Sequence, residues 1–343
     1  MKIGVLVKPN ISNAAYRAIG PMLALGQRGH EVVLVARAED GSFSPRELVD
    51  CDVVHVYRGY EDLKDLRPLK CVTELRRRGV AITWDDDDDV RLIPPDAPGY
   101  KSYFGGLNTQ RYVRQQVAMA SKADVVTTTT RVLADLLGKH CDGPTEIIEN
   151  YLDASQYARD GRRHSGITVG WVASREHVAD VRMLDLTTTL RNVMARDEQV
   201  RLITVGVKLD LDSDRYTHVR DVGFSDLSKF LAQLDIGIAP IADHPMSYAR
   251  SNIKVKEYAG AGVPWVASAR GSYAGLGAKE GGITVADNGW EQALLDLAGS
   301  RRKRMRLRRK AESWGKSQDI RHHTHRWEAV MQMAVESAAR RAA

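Results

Sequence analysis

Two stretches concentrate the side chains that could do chemistry. The first, Trp84 to Val90, reads WDDDDDV and sets five carboxylates next to one another. Adjacent carboxylates repel, and they are tolerated in solvent, beside cations, or with some of them protonated. On the residues alone three uses stand open: a Mg²⁺ or Ca²⁺ ligand set, a cluster that receives an acceptor's hydroxyls, or a solvated charged loop. The second, Ser251 to Ser268, reads SNIKVKEYAGAGVPWVAS. Ser251 and Asn252 are helix-capping residues, Ile253 to Ala261 carries a helix, Gly262 ends it and Pro264 bars its continuation. Trp265 to Ser268 then reads as a buried parallel strand. A capped helix start is an anion site, and Lys254 and Lys256 lie in its first turns. Glu257 is one turn beyond Ile253, where a carboxylate accepts from vicinal hydroxyls. Amides and lysine for phosphates, with a carboxylate for a ribose, make a nucleotide-diphosphate site.

The elements that must hold these groups alternate between strand and helix. Lys2 to Lys8 is a strand, followed by a helix from about Asn13 to Arg28 that stops at Gly29. Strands follow at Glu31 to Arg37, Asp52 to Tyr57, Val80 to Trp84 and Asp124 to Thr129, with helices near Pro68 to Arg78 and Thr109 to Ser121. Near-continuous apolar strands alternating with helices predict doubly wound parallel sheets. Ligands bind such sheets at the carboxyl ends of the strands, which singles out the loop Lys8 to Asn13 and the aspartate run. The polar run Arg159 to Ser165 reads as a linker. A second unit then repeats the pattern: a strand at Thr168 to Val172, a helix from Val178 to Ala195, and a strand at Gln199 to Val205. A helix at Leu227 to Leu234 and a strand at Asp235 to Ile241 complete this repeat.

The stretch around Glu257 resembles the donor-site motif of retaining glycosyltransferases of the large family four, which have the GT-B fold. The matching residues are Glu257, the small-residue run Tyr258 to Ala261, Gly262-Val263-Pro264 and the strand beyond. Where that family often has a second glutamate, eight positions earlier, this chain has Ala249. The resemblance continues in Glu149-Asn150, Asp153 and Tyr157, and in Gly223-Phe224 with the helix and Asp-Ile strand that follow. It implies two Rossmann-like domains with a cleft between them. The first, residues 1–157, would be the acceptor side, completed by a C-terminal helix over residues 320–343. The second, residues 158–319, would bind the donor. The resemblance assigns Asp85, Asp87 and Asp88 to the catalytic centre. It assigns Ser251, Asn252, Ile253, Lys254, Glu257 and Gly223 to the donor, together with Arg175, Ser174 beside it and His177 as the fallback. It implies metal-free transfer with a nucleotide-diphosphate sugar (UDP-, GDP- or dTDP-type) as co-substrate and no other cofactor. The segment from Ala242 to Ile253, which includes Arg250, is longer than usual and reads as an active-site loop.

Composition bounds these readings. At 343 residues the chain has room for two cored domains. It lacks the ~20-residue apolar run needed to cross a bilayer, and its first residues read as a strand rather than a signal peptide. Cys51, Cys71 and Cys141 are scattered without metal spacing, which suits a reducing cytoplasm. The net charge of +6 owes much to Arg301 to Lys310, RRKRMRLRRK, in a helical stretch. That run is a solvated face or a patch for an anionic membrane surface or nucleic acid, so a peripheral position at the inner membrane face stays open. His322, His323 and His325 crowd one helix turn and read as a structural patch rather than a metal site. Two alternatives accompany glycosyl transfer: a nucleotide-sugar epimerase of GT-B fold, and a modified-base glycosyltransferase acting on nucleic acid.

Overall fold

The computed structural model describes residues 1–8, 13–36, 45–59, 65–95, 97, 100, 105–157, 165–174 and 177–342. Arg175 and most of the polar linker lie outside these residues, as does the middle of the loop after the first strand. The first half carries β1 (Lys2–Val7), β2 (Glu31–Ala36), β3 (Val53–Tyr57), β4 (Ala81–Asp85), β5 (Val125–Thr128) and β6 (Thr145–Ile147). They form one parallel sheet in the order β2-β1-β3-β4-β5-β6. A π-helical turn, Ala15–Ile19, leads into α1 (Gly20–Gln27), and α2 (Arg67–Arg77), α3 (Leu107–Ala120) and α4 (Arg131–Leu137) follow. Gly29 and Gly79 close two helix–strand turns at positive φ, where a Cβ would be strained.

The second half forms another parallel sheet in the order β12-β11-β10-β7-β8-β9. Its strands are β7 (Ile167–Ala173), β8 (Val200–Gly206), β9 (Tyr216–Val219), β10 (Ile236–Ala239), β11 (Trp265–Ser268) and β12 (Gly282–Val285). β9 and β12 are the strands that hydrophobic patterning does not announce, being four residues each and only partly buried. The single helix expected from Val178 to Ala195 is two, α5 (Val178–Met183) and α6 (Leu186–Arg196), with Asp185 between them at φ +44°. Leu184 and Leu186 are both buried. Two positions apart on an unbroken helix they would face opposite ways, and the left-handed residue lets both enter the core. Beyond them lie α7 (Phe224–Leu231), α8 (Pro245–Ala249) inside the long loop, α9 (Ile253–Gly260), α10 (Trp290–Ala298), α11 (Arg301–Ser317) and α12 (Ile320–Ala342).

Helix α12 crosses back to the first sheet, where Trp327, Val330, Met331 and Ala334 join the core formed by Ile3, Val5, Val53 and Ala81. Helix α11 runs tightly over α9. A Cβ on Gly315 would come within 2.6 Å of the Ala259 backbone, so only glycine permits that approach. On the outer face of α11, Arg301, Arg302, Arg306, Arg309 and Lys310 are exposed, while Arg304 turns in to the carbonyls of Leu297 and Ala298. His323 stacks on Tyr151 at 3.7 Å and meets the Ser317 carbonyl, so it packs between elements. Among the described residues, no helix is long and apolar enough to cross a membrane.

Candidate active site

Both sheets reverse strand order at their centre, between β1 and β3 and between β7 and β10, and such reversals open a crevice at the carboxyl ends of the strands. A cavity of about 460 Å³ lies there, between the two halves of the chain. Its first wall begins where β4 runs into the aspartates. These five carboxylates do not form one cluster. Asp85 is fully buried, gripped by Arg17 through Nε at 3.0 Å and Nη2 at 2.6 Å and by the Thr127 hydroxyl at 2.5 Å. Asp86 accepts from the Gln116 side-chain amide at 2.9 Å. Asp89 caps a 3₁₀ turn and pairs with Arg91. Asp87 and Asp88 reach the cavity, sharing the Arg58 guanidinium, and Asp87 also accepts from Tyr57 at 2.7 Å and from Asn13 at 2.8 Å.

This arrangement corrects two expectations. Asp85 is turned away from the cavity with its carboxylate committed to Arg17, so it stands behind the site as a support. Crowding should push carboxyl pKa values up, yet Asp87 is held below its ordinary value. Burial works against its charge, and Arg58 together with the Tyr57 hydroxyl more than compensates. Among the described residues, no group of three or more His, Cys, Asp or Glu side chains is arranged to hold a metal ion. Arg58 sits at φ +56°, an uncommon conformation for a non-glycine residue. Its backbone is pinned there, its N–H donating to the Asp85 carbonyl and its carbonyl accepting from Trp84 Nε1, both at 2.9 Å.

The second wall is built on α9 and the end of β7. Ser174, Ser251, Ile253, Lys254 and Glu257 all line the cavity. Asn252 and Gly223 do not. Asn252 turns to Glu149 at 3.4 Å, and Gly223 starts α7 with its neighbours Val222 and Phe224 facing in. The capping expected of Ser251 and Asn252 is absent, because the Ser251 hydroxyl accepts from Asn150 at 3.0 Å and no side chain caps α9. Lys256 points the other way, fully buried against Glu149 Oε2 at 2.7 Å, the Asn150 carbonyl at 2.9 Å and the Tyr151 ring. It joins the two halves of the chain. Glu257 is also a joint: the Tyr16 hydroxyl donates to its Oε1 at 2.6 Å, and Lys254 meets Oε2 at 3.2 Å. A carboxylate has about four acceptor sites, so acceptor capacity remains for a ligand.

Sequence reasoning missed the centre of this wall. Asp180 is fully buried and takes four donors: His177 Nδ1 at 2.7 Å, Arg250 Nη1 at 2.7 Å, His244 Nε2 at 3.0 Å and the Ala242 amide at 2.7 Å. Burial alone would raise its pKa, but the two imidazoles and the guanidinium hold it far below the carboxylate range. His177 and Arg250 both line the cavity. The three-residue spacing of His177 and Asp180 on a helix start was a usable signal. Arg58 and Tyr16 left none, since their partners lie 29 and 241 residues away.

No family model and no curated protein sequence matches the chain. Solved structures do. Anabaena HepE in complex with UDP and glucose superposes with a TM-score of 0.63 at 13% identity, over 96% of this chain and 98% of that one. Sucrose-phosphate synthase from Thermosynechococcus elongatus gives 0.60 at 14% identity, over 96% of both chains. A Listeria monocytogenes protein assigned as a UDP-N-acetylglucosamine 2-epimerase gives 0.54 at 13% identity, over 93% and 94%. With two parallel six-stranded sheets facing a shared cleft, the chain has the GT-B fold.

Proposed function

We propose that the protein transfers a glycosyl group from a nucleotide-diphosphate sugar to an acceptor hydroxyl, with retention at the anomeric carbon. The observation that carries this reading is that one cavity brings Lys254, Arg250 and the start of α9 opposite the carboxylates of Asp87 and Asp88. On one side Lys254, Arg250 and the start of α9 present positive charge suited to a diphosphate. On the other, Asp87 and Asp88 present carboxylates to the cavity and share the Arg58 guanidinium. Glycosyl transfer uses both kinds of group, because the departing diphosphate gains negative charge while the sugar ring acquires oxocarbenium character. In this reading Glu257 accepts from the ribose hydroxyls, and Ser174, Ser251 and Arg175 add contacts to the donor. Asp87 and Asp88 hold the acceptor hydroxyl, Arg58 fixes their orientation, and no metal takes part. Retention is carried by the resemblance of the Glu257 motif to retaining enzymes. The solved structures of similar fold include complexes with UDP and with UDP-glucose, which supports a nucleotide sugar as donor.

A thermal-shift screen of UDP, GDP, ADP, CDP and dTDP and their sugars tests the donor site, since a ligand at a hundred times its Kd adds about 2.7 kcal/mol. No shift with any of them would refute it. The likeness to the Listeria protein favours a second reading, a nucleotide-sugar epimerase. Isomerisation of the donor with no acceptor present would establish that reading and displace transfer.

A further inference from the structure

Asp180 does more than anchor the loop after β10. An ionised carboxylate only accepts hydrogen bonds, so the imidazole nitrogen 2.7 Å from its Oδ2 must carry a proton. That places the proton of neutral His177 on Nδ1 and leaves the lone pair on Nε2. Arg250 Nη1 lies 3.2 Å from the same Nδ1, but a guanidinium is also a donor and is satisfied by Asp180 at 2.7 Å. Among the described residues nothing is hydrogen-bonded to Nε2 of this cavity-lining ring. The ring is steered further by Trp171, edge-on at 5.5 Å.

The charges around His177 come from several elements. Asp180 lies on α5, His244 and Arg250 flank α8, Lys254 and Glu257 lie on α9, and Tyr273 belongs to the turn after β11. Before a ligand binds, burial, and after it Arg250, hold the imidazole below its ordinary pKa against the pull of Asp180. It is therefore neutral near pH 7 and offers a bare lone pair. A diphosphate entering between Arg250 and Lys254 would bring at least two negative charges against that lone pair. The repulsion disappears, and becomes an additional ion pair, if Nε2 gains a proton.

Resting on the donor reading given above, we infer that His177 takes up a proton as the nucleotide diphosphate binds. The imidazolium is then a third cation on the diphosphate, beside Arg250 and Lys254, with its other nitrogen held by Asp180. Donor affinity becomes linked to pH, and the proton leaves again when the nucleoside diphosphate departs. Asp180 is a positioning residue in this scheme, because it sets which nitrogen faces the ligand.

The test is isothermal titration with UDP-glucose, or with GDP-, ADP- or dTDP-glucose if one of those is the ligand, in HEPES and in Tris. The diphosphate of a nucleotide sugar is esterified at both ends and does not itself titrate near neutrality. The expected result is a buffer-dependent heat that corresponds to about one proton taken up per ligand near pH 7.5. Affinity should fall about tenfold per pH unit between the free and bound pKa values. His177→Gln, its fold checked by circular dichroism, should abolish the uptake, flatten the pH dependence and weaken binding about tenfold at pH 7. Binding by the unaltered protein without proton uptake overturns this role and leaves the donor site standing, as does undiminished uptake in His177→Gln. Failure of every nucleotide sugar to bind overturns both.

Discussion

The two walls of the cleft solve the problem of buried charge differently. On the first wall, among the described residues, the aspartate run is met by Arg17, Arg58 and Arg91. Arg17 grips Asp85, Arg91 pairs with Asp89, and Arg58 reaches both Asp87 and Asp88 at the cavity. On the second wall Arg250 meets Asp180 and Lys254 meets Glu257, Asp221 also lines the cavity, and a helix start adds partial positive charge. A charge taken out of water must be matched, and the groups that still face the cavity decide what a wall attracts. The acidic wall suits hydroxyl donors and developing positive charge; the other suits anions.

The comparison breaks first at its supports. Arg17→Met strips the fully buried Asp85 of its partner, and an unpaired buried charge costs about 3–5 kcal/mol. Chemical denaturation should show a loss of that size, whereas Asp85→Asn with Arg17→Met should recover part of it. A near-neutral Arg17→Met would mean that Asp85 is not charged in the folded protein.

The next effects belong to catalysis. Asp88→Asn should lower transfer at least a hundredfold while nucleotide binding stays near normal, and the unaltered protein should keep full activity in EDTA. Lys254→Ala should lower kcat at saturating donor on the order of a hundredfold, because the charge it meets grows in the transition state. Steady-state kinetics on both variants sharpens the contrast: the acidic wall should act on acceptor and turnover, the basic wall on the leaving group. Normal transfer by Asp88→Asn would return the aspartate run to a purely structural role.

Glu257→Ala comes third. It should weaken nucleoside diphosphate binding at least about tenfold, since charge-assisted hydrogen bonds contribute roughly 1.5–3 kcal/mol each. It also deprives Tyr16 of its acceptor across the cleft, so a stability loss of about 1–3 kcal/mol should accompany it. An unchanged Kd removes Glu257 from the donor site.

A pH effect follows. Asp87 has a lower pKa folded than unfolded, so the stability it contributes is present in full above the unfolded value of about 3.9. That stability is lost as pH falls through the folded value. Arg58→Met should shrink this acid-side loss in denaturation curves taken between about pH 5 and 2, a window set by the same linkage. Smallest of all, Arg306→Gln with Arg309→Gln on the exposed face of α11 should move stability by less than about 0.5 kcal/mol.

Much of the fold could be read from the chain because it is written in local pattern. Apolar strands separated by amphipathic helices announce two parallel sheets, and glycines such as Gly29, Gly79 and Gly262 mark where helices stop. Trp327, Val330 and Met331, spaced to share one helix face, identify the buried stripe of α12. The Glu257 motif likewise fixes a helix, a stop and a strand over eighteen consecutive residues. What the sequence could not apportion was the aspartate run. Five identical side chains in a row carry nothing local that separates the one bound to Arg17, 68 residues back, from the two that reach the cleft. Nor could it announce that Asp180 meets Arg250, 70 residues on, or that Tyr16 meets Glu257, 241 residues on. Secondary structure follows from neighbours along the chain. The state and partner of a charge depend on distance and dielectric in space, and only the packed tertiary structure sets those.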